Sequence, residues 1–229
     1  MINLALIPAR GGSKRIKGKN IKLFHGKPII AWTIEMAKKC NIFDKIVVST
    51  DSEEIEAVSR KFGAEVPFLR PKEFADDETS VIEVMKHALR FYEKKKIPVV
   101  NAALLYPTSP FTREKDIKAA FRIITENDFV ASVSEFPYPI DRALRIEYSS
   151  NNLTMIDKRN FFKRSQDLEN FYHDAAQFIV GKKSAWLDKV PFLNSVTAPI
   201  FIPRWRMQDI DFEADWIEAE LKFSILKKL

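Results

Sequence analysis

The chain has 229 residues, with 37 Lys+Arg against 31 Asp+Glu, a net charge of +6, 46% hydrophobic residues, 12 Pro and only 6 Gly. That length suits one domain with a sizeable core, and the composition excludes collagen-like, low-complexity and disordered classes. No apolar run is long enough to span a bilayer, Met1 leads straight into a strand-like run rather than a signal peptide, and a lone cysteine, Cys40, excludes a disulfide framework or multi-cysteine zinc site, so a reducing cytoplasm is the expected address.

Ile2 to Ile7 is a short apolar run closed by Pro8, read as a buried strand. The segment that follows holds seven bases, Arg10, Lys14, Arg15, Lys17, Lys19, Lys22 and Lys27, before the first acid, Glu35. The rest of the chain is nearly balanced, with 30 bases against 31 acids. An excess confined to one segment favours a compact, highly charged anion over a long polyanion, whose partners spread bases over an extended face.

Pro28 opens an amphipathic helix through Cys40, with proline at a permitted first-turn position. Lys45 to Thr50 is a second strand, and the helix after Asp51 has Ser or Asp as its cap and acids in its first turn. Val66 to Leu69 predicts a third short strand, and Thr79 or Ser80 caps a helix to about Lys94. Strand Val99 to Leu105, helix Arg113 to Glu126 and strand Phe129 to Val133 complete the alternation. Alternating strands and helices imply right-handed crossovers and a mainly parallel sheet with helices on both faces.

The pattern breaks after Phe136. Pro137 and Pro139, a hairpin from Arg145 to Ile156 turning at Asn151-Asn152, and the basic segment Lys158 to Asn170 read as a β-rich insertion. Its bounds are placed at 136–175 within a single domain, 1–229, and an oligomer contact is its expected use. Ala176 to Val180, Ser195 to Ile202 and Met207 to Ile210 return to strand character. A closing helix, Phe212 to Lys222, is expected to turn Trp216 and Leu221 inward.

The strongest local signal is the loop from Pro8 to Asn20, where Gly11, Gly12 and Gly18 interleave with bases. Glycines bare backbone N–H groups to an oxyanion, and Arg and Lys add charge-assisted hydrogen bonds at the carboxyl end of the first strand. The segment matches neither the Walker pattern nor the dinucleotide fingerprint, which disfavours an NAD enzyme. A solvated basic loop would show the same residues.

In Gln208-Asp209-Ile210-Asp211, strand alternation puts Asp209 and Asp211 on one face, where two repelling carboxylates suit a hard cation such as Mg²⁺. Acids capping the next helix are the alternative. Tyr106-Pro107-Thr108-Ser109-Pro110 offers hydroxyls at a strand end for a polyhydroxylated ligand, or simply a rigid turn. On spacing alone Arg70 reads as a surface charge, and His87 as a surface residue of its helix. No metal-spaced His/Cys cluster or nucleophile elbow occurs, so the chemistry needs no covalent nucleophile.

Taken together and in order, these segments resemble the acylneuraminate cytidylyltransferases, the CMP-sialic acid synthetases. The likeness runs from Ile7–Asn20 through Ser49-Thr50-Asp51, Leu69-Arg70-Pro71, Asp76-Asp77 with Thr79-Ser80, Leu105–Pro110 and Gln208–Asp211 to Asp215-Trp216. Arg164–Leu168 and Tyr172–Ala175 resemble the pseudaminic acid subgroup, and Tyr106 stands where sialic acid members typically carry Gln.

The resemblance implies a Rossmann-like nucleotidyltransferase fold of class α/β, and CMP transfer from CTP to a nine-carbon 2-keto acid sugar for surface glycan or flagellin glycosylation. It also implies that Arg10, Gly11, Gly12, Ser13, Lys14 and Lys19 hold the triphosphate. Asn20, Arg70, Thr79 and Ser80 would hold the cytidine, and Asp209 and Asp211 the Mg²⁺. Tyr106, Thr108, Ser109, Asp174 and Gln177 would face the sugar. Family members pair as homodimers through an excursion like 136–174, and Arg159 or Arg164 would then reach the partner's sugar carboxylate.

Legionaminate, N-acetylneuraminate or the eight-carbon Kdo are rival acceptors within this chemistry. A rival of another class is a non-catalytic RNA-binding protein using the basic loop and the 18 Phe. Most of those Phe occupy apolar periodic positions, which favours core packing and no nucleic-acid partner.

Overall fold

The computed structural model describes residues 1–188 and 192–227. In it the first half of the chain alternates as its pattern predicts: β1 (Ile2–Pro8), α1 (Ile29–Cys40) after the short ribbon β2 (Leu23–Phe24) and β3 (Lys27–Pro28), β4 (Lys45–Ser49), α2 (Glu53–Lys61), α3 (Val81–Lys94), β5 (Val99–Leu105), α4 (Glu114–Ile123) and β6 (Phe129–Glu135). Then come the hairpin β7 (Leu144–Glu147) and β8 (Asn152–Met155), the long strand β9 (Tyr172–Lys182), the short helix α5 (Lys183–Leu187), β10 (Thr197–Phe201) and α6 (Glu213–Leu226).

The main sheet has the order β10-β6-β9-β5-β1-β4. Every pairing in it is parallel except those of β9, which lies antiparallel between β5 and β6. Alternation along the buried strands divides the core into two layers. Ala5 and Ile7 of β1 pack with Ile30 and Ile34 of α1, Ile55 of α2 and Ile117 of α4. Leu4 and Leu6 face Val84, Met85 and Leu89 of α3 and Trp186 of α5. Gly181 admits Trp186, because a Cβ there would lie 2.6 Å from its Nε1, which donates to the Ala102 carbonyl at 2.9 Å.

A third, smaller cluster positions the site. Ile16 from the basic loop and Ile210 from the acidic segment are both buried against Phe24, Ile29, Phe111, Trp216, Ala219 and Phe223. These apolar pins anchor two otherwise charged segments to α6. The face of α6 corrects the expected one: Trp216, Ala219 and Phe223 turn inward, while Leu221 is 62% exposed. Five residues on from Trp216, Leu221 lies well round the helix from the buried stripe.

Other expectations shift as well. Val66 to Leu69 forms no strand, only isolated parallel bridges at Val47–Glu65 and Thr50–Leu69. Met207 to Ile210 joins no ladder and forms no regular element. Residues 172–175, read from sequence as the end of the insertion, open β9 and pair with β6. His87 is not a surface residue of its helix: its ring lies between Phe68 and Phe74, and its Nδ1 is buried without a hydrogen-bond partner. Among the described residues, no helix is long and apolar enough to cross a membrane.

Candidate active site

Parallel strands end together, so the loops at their carboxyl ends surround one crevice. Here β1, β4 and β5 end at Pro8, Ser49 and Leu105, and a cavity of about 670 Å³ opens beside them. Of the residues singled out from sequence, Arg10, Ser13, Lys14, Lys19, Asn20, Arg70, Thr79, Tyr106, Thr108, Asp174, Asp209 and Asp211 line it. Arg15, Asp76, Asp77, Val81 and Val84 join them, without any role assigned from sequence.

The basic loop is tied down at each end. Asn20 is buried and its Nδ2 donates to the Arg10 carbonyl at 3.0 Å. Lys19 Nζ donates to the Ile210 carbonyl at 2.6 Å and reaches Asp211 at 3.4 Å, while Arg15 Nη2 meets Asp211 at 2.7 Å. Arg10 and Lys14 both pair with Asp77, each at 2.5 Å.

The charge distribution also corrects its first reading. Only Arg10, Lys14, Arg15 and Lys19 of the seven early bases face the cavity. Lys22 pairs with Glu213 and Lys27 with Glu35, over the rings of Trp216 and Trp32. With Arg70 added, the lining holds five bases against five acids: Asp76, Asp77, Asp174, Asp209 and Asp211. The local excess therefore meets a matching set of carboxylates brought in by distant segments.

Gly11 serves packing. Gly11 N–H donates to Asp51 Oδ1 at 2.8 Å, and a Cβ there would come within 3.0 Å of Ser52, so the loop passes tightly over the start of α2. Gly12 has open space around it, and neither residue lines the cavity.

Arg70 is a buried group and no surface charge. Its Nε and Nη2 donate to Ser49 Oγ and the Ser49 carbonyl at 3.0 and 2.5 Å, and burial lowers its pKa to about 10 against the supporting charge of Asp51. Thr79 lines the cavity, whereas Ser80 caps α3 by accepting from Glu83 N–H at 3.3 Å.

Beside the basic loop, Asp209 and Asp211 flank the buried Ile210 and both reach the cavity. No strand ladder holds them there. Burial, and then the charge of Asp211, push the Asp209 carboxyl up, although Asp209 keeps a solvent-exposed side. Asp209 forms no ion pair among the described residues, whereas Asp211 already meets Arg15 and Lys19; as two hard carboxylate donors they would suit Mg²⁺. Among the described residues, no group of three or more His, Cys, Asp or Glu is arranged to hold a metal.

A bulge in β9 aims Asp174. The register against β6 slips between Ala131 and Val133, and Ala176 takes a left-handed φ of 49° while its N–H donates to Asp174 Oδ1 at 2.8 Å. Burial raises the Asp174 carboxyl, and burial with Asp174 and Asp209 nearby raises Tyr106.

Two residues expected on the sugar side turn elsewhere. Ser109 Oγ donates to the Ala176 carbonyl at 2.8 Å, and buried Gln177 donates through Nε2 to the Arg206 carbonyl at 2.8 Å. Both brace the bulge from behind. Arg159 and Arg164 lie outside the cavity lining, paired with Asp157 and Asp167 at 2.8 and 3.0 Å. Of the residues without a sequence role, Asp76 and Asp77 did carry a signal, an Asx turn running into a capped helix.

A family profile described as cytidylyltransferase matches residues 4–229. A pseudaminic acid cytidylyltransferase of Campylobacter jejuni is 38% identical over 98% of this chain and 97% of its own length. A CMP-N,N'-diacetyllegionaminic acid synthase of Legionella pneumophila is 36% identical over 95% of this chain and 94% of its own. Among solved structures, a CMP:2-keto-3-deoxy-manno-octonic acid synthetase complexed with CTP superposes with a TM-score of 0.69 at 14% identity, covering 99% of each chain, a likeness of fold.

Proposed function

The chain belongs to the cytidylyltransferase family, and from that premise we propose that it transfers CMP from CTP to the anomeric hydroxyl of a nonulosonic acid, pseudaminic acid, releasing pyrophosphate. The observation that carries this reading is one cavity that brings Arg10, Lys14 and Lys19 together with the Asp209 and Asp211 pair, with Arg70 and Tyr106 also in its lining.

Attack on the α-phosphorus in line with the leaving pyrophosphate moves negative charge onto that leaving group, and positioning with fixed charges does most of the catalysis. Arg10, Ser13, Lys14 and Lys19 hold the triphosphate. Lys19, anchored on the Ile210 carbonyl, keeps its charge in place as the leaving group develops. Asn20 and Arg70 hold the cytidine with Thr79, and the buried clamp of Arg70 on Ser49 fixes its direction before nucleotide arrives. Tyr106, Thr108 and Asp174 face the sugar. Asp209 and Asp211 would hold Mg²⁺, which would supply Lewis-acid polarisation of the α-phosphate.

A homodimer is part of the proposal. Between the main strands, residues 136–171 carry exposed Tyr138, Leu144, Tyr148, Leu153, Phe161 and Phe162, apolar side chains that a partner would cover. An apolar hollow of about 630 Å³ lined by Phe136, Tyr138 and Ile140 lies in the same region. Arg159 and Arg164 of one protomer reach the partner's sugar carboxylate, which an Arg fork grips bidentately. The cytoplasm, where CTP is made, is the proposed compartment.

Pyrophosphate release from CTP and Mg²⁺, with pseudaminate, legionaminate and N-acetylneuraminate offered separately, tests the proposal. Release is expected fastest with pseudaminate. A faster rate with another acid would reassign the acceptor, and no release with any of them would overturn the function.

A further inference from the structure

The phosphate donors of the basic loop already have a partner within this chain. Resting on the reading above, we infer that Asp77 is a built-in competitor for the triphosphate subsite, which weakens the hold on CTP and eases the departure of pyrophosphate. Its two carboxylate oxygens take separate donors, Oδ1 meeting Arg10 Nη1 and Oδ2 meeting Lys14 Nζ, both at 2.5 Å. A phosphate oxygen needs those same N–H groups.

The carboxylate is held there by its own segment. Asp76 Oδ1 accepts the N–H groups of Glu78 and Thr79 at 3.0 and 2.7 Å, bracing the turn that runs into α3. The hydrogen bond from Lys14, then that from Arg10, keep the Asp77 carboxyl below the usual carboxylate range, so it is ionised at neutral pH. The pair is also accessible, with side chains of Arg10 and Asp77 exposed at 33% and 45%, so partners can exchange without unfolding the loop.

An arriving triphosphate either displaces Asp77 or accepts a like charge beside it, and each alternative weakens binding. Pyrophosphate meets the same competitor after transfer. The carboxylate regains both bases as the product leaves, which shortens its stay. The even balance of five bases and five acids around the cavity has this consequence: the lining restrains anion affinity as well as supplying it.

Calorimetric titration of CTP and of pyrophosphate into wild type, Asp77→Asn, Asp77→Glu and Lys19→Ala tests the inference, with thermal melts to check folding. Removing an exposed ionic competitor is expected to tighten both ligands about two- to fivefold in Asp77→Asn. Asp77→Glu, which keeps the charge, should stay near wild type, and pyrophosphate should inhibit the Asn variant more strongly in turnover. A variant serving only the fold would bind more weakly, never more tightly. Unchanged or weakened binding in Asp77→Asn would overturn the inference, and would mean that Asp77 braces Arg10 and Lys14 for nucleotide. The functional reading fails separately: wild type that binds no CTP, or Lys19→Ala that binds it equally well, removes the triphosphate assignment itself.

Discussion

The cavity and the excursion at 136–171 manage charge and apolar surface in opposite ways. In the cavity, the charged groups come from segments far apart in sequence, such as Arg10 with Asp77 and Arg15 with Asp211, and buried Ile16 and Ile210 hold those segments in place. In the excursion the ion pairs are local, Arg159 with Asp157 and Arg164 with Asp167, while Phe162 and Tyr148 are 92% and 93% exposed. The cavity lining is thus assembled within one chain by long-range contacts. The excursion forms its ion pairs locally and leaves these aromatic side chains exposed.

Three changes would break or sharpen that contrast. The largest effect belongs to the cavity. Asp211→Asn removes one of the paired carboxylates and the counter-ion of Arg15 and Lys19, and turnover should fall on the order of 100- to 1,000-fold while circular dichroism stays native. Pyrophosphate release at saturating Mg²⁺ reads this, and a near-normal rate would sink the metal assignment.

A smaller effect is expected in the excursion. Phe162→Asp should weaken self-association by about tenfold or more, read as mass by sedimentation, with CTP affinity held. Equal masses for wild type and variant would show that the exposed aromatics of this region face solvent and no partner.

The smallest change is expected at His87, on α3 beside Phe68 and Phe74. Burial, and then the charge of Arg70, lower its pKa, while Glu73 opposes them. The unfolded chain therefore takes up this proton more readily than the folded one. Stability from this group is full above about pH 6.5 and is lost as the pH falls toward the folded value. His87→Phe should flatten that acid-side loss, seen as a smaller shift of the urea midpoint between about pH 7.5 and about pH 5.5. An unchanged slope would show that other groups govern the acid limit.

Much of the fold was legible because periodicity is a local property. The strand at Ile2–Ile7, the Pro28–Cys40 helix and the capped helix after Ser80 follow from apolar spacing and caps within a few residues. Order of motifs along the chain was enough to indicate the family, and twelve of the site residues named from sequence meet at one cavity. The failures are of another kind. Leu221 was placed inward and Arg70 outward because the partner surfaces, Phe24 and Phe111 in one case and Ser49 in the other, lie far off in sequence.

By itself the sequence determined the alternating α/β class, the family, and the concentration of bases in one early loop. It did so because spacing, capping and net charge are fixed by neighbours along the chain. Tertiary structure alone decided that β9 runs antiparallel in the middle of the sheet, and that its bulge turns Asp174 toward the cavity while Gln177 braces from behind. It also decided that the basic loop would meet as many carboxylates as it brings bases. Hydrogen-bond register and ion pairing join residues tens to hundreds of positions apart, and only the packed chain brings such groups within a few ångströms of one another.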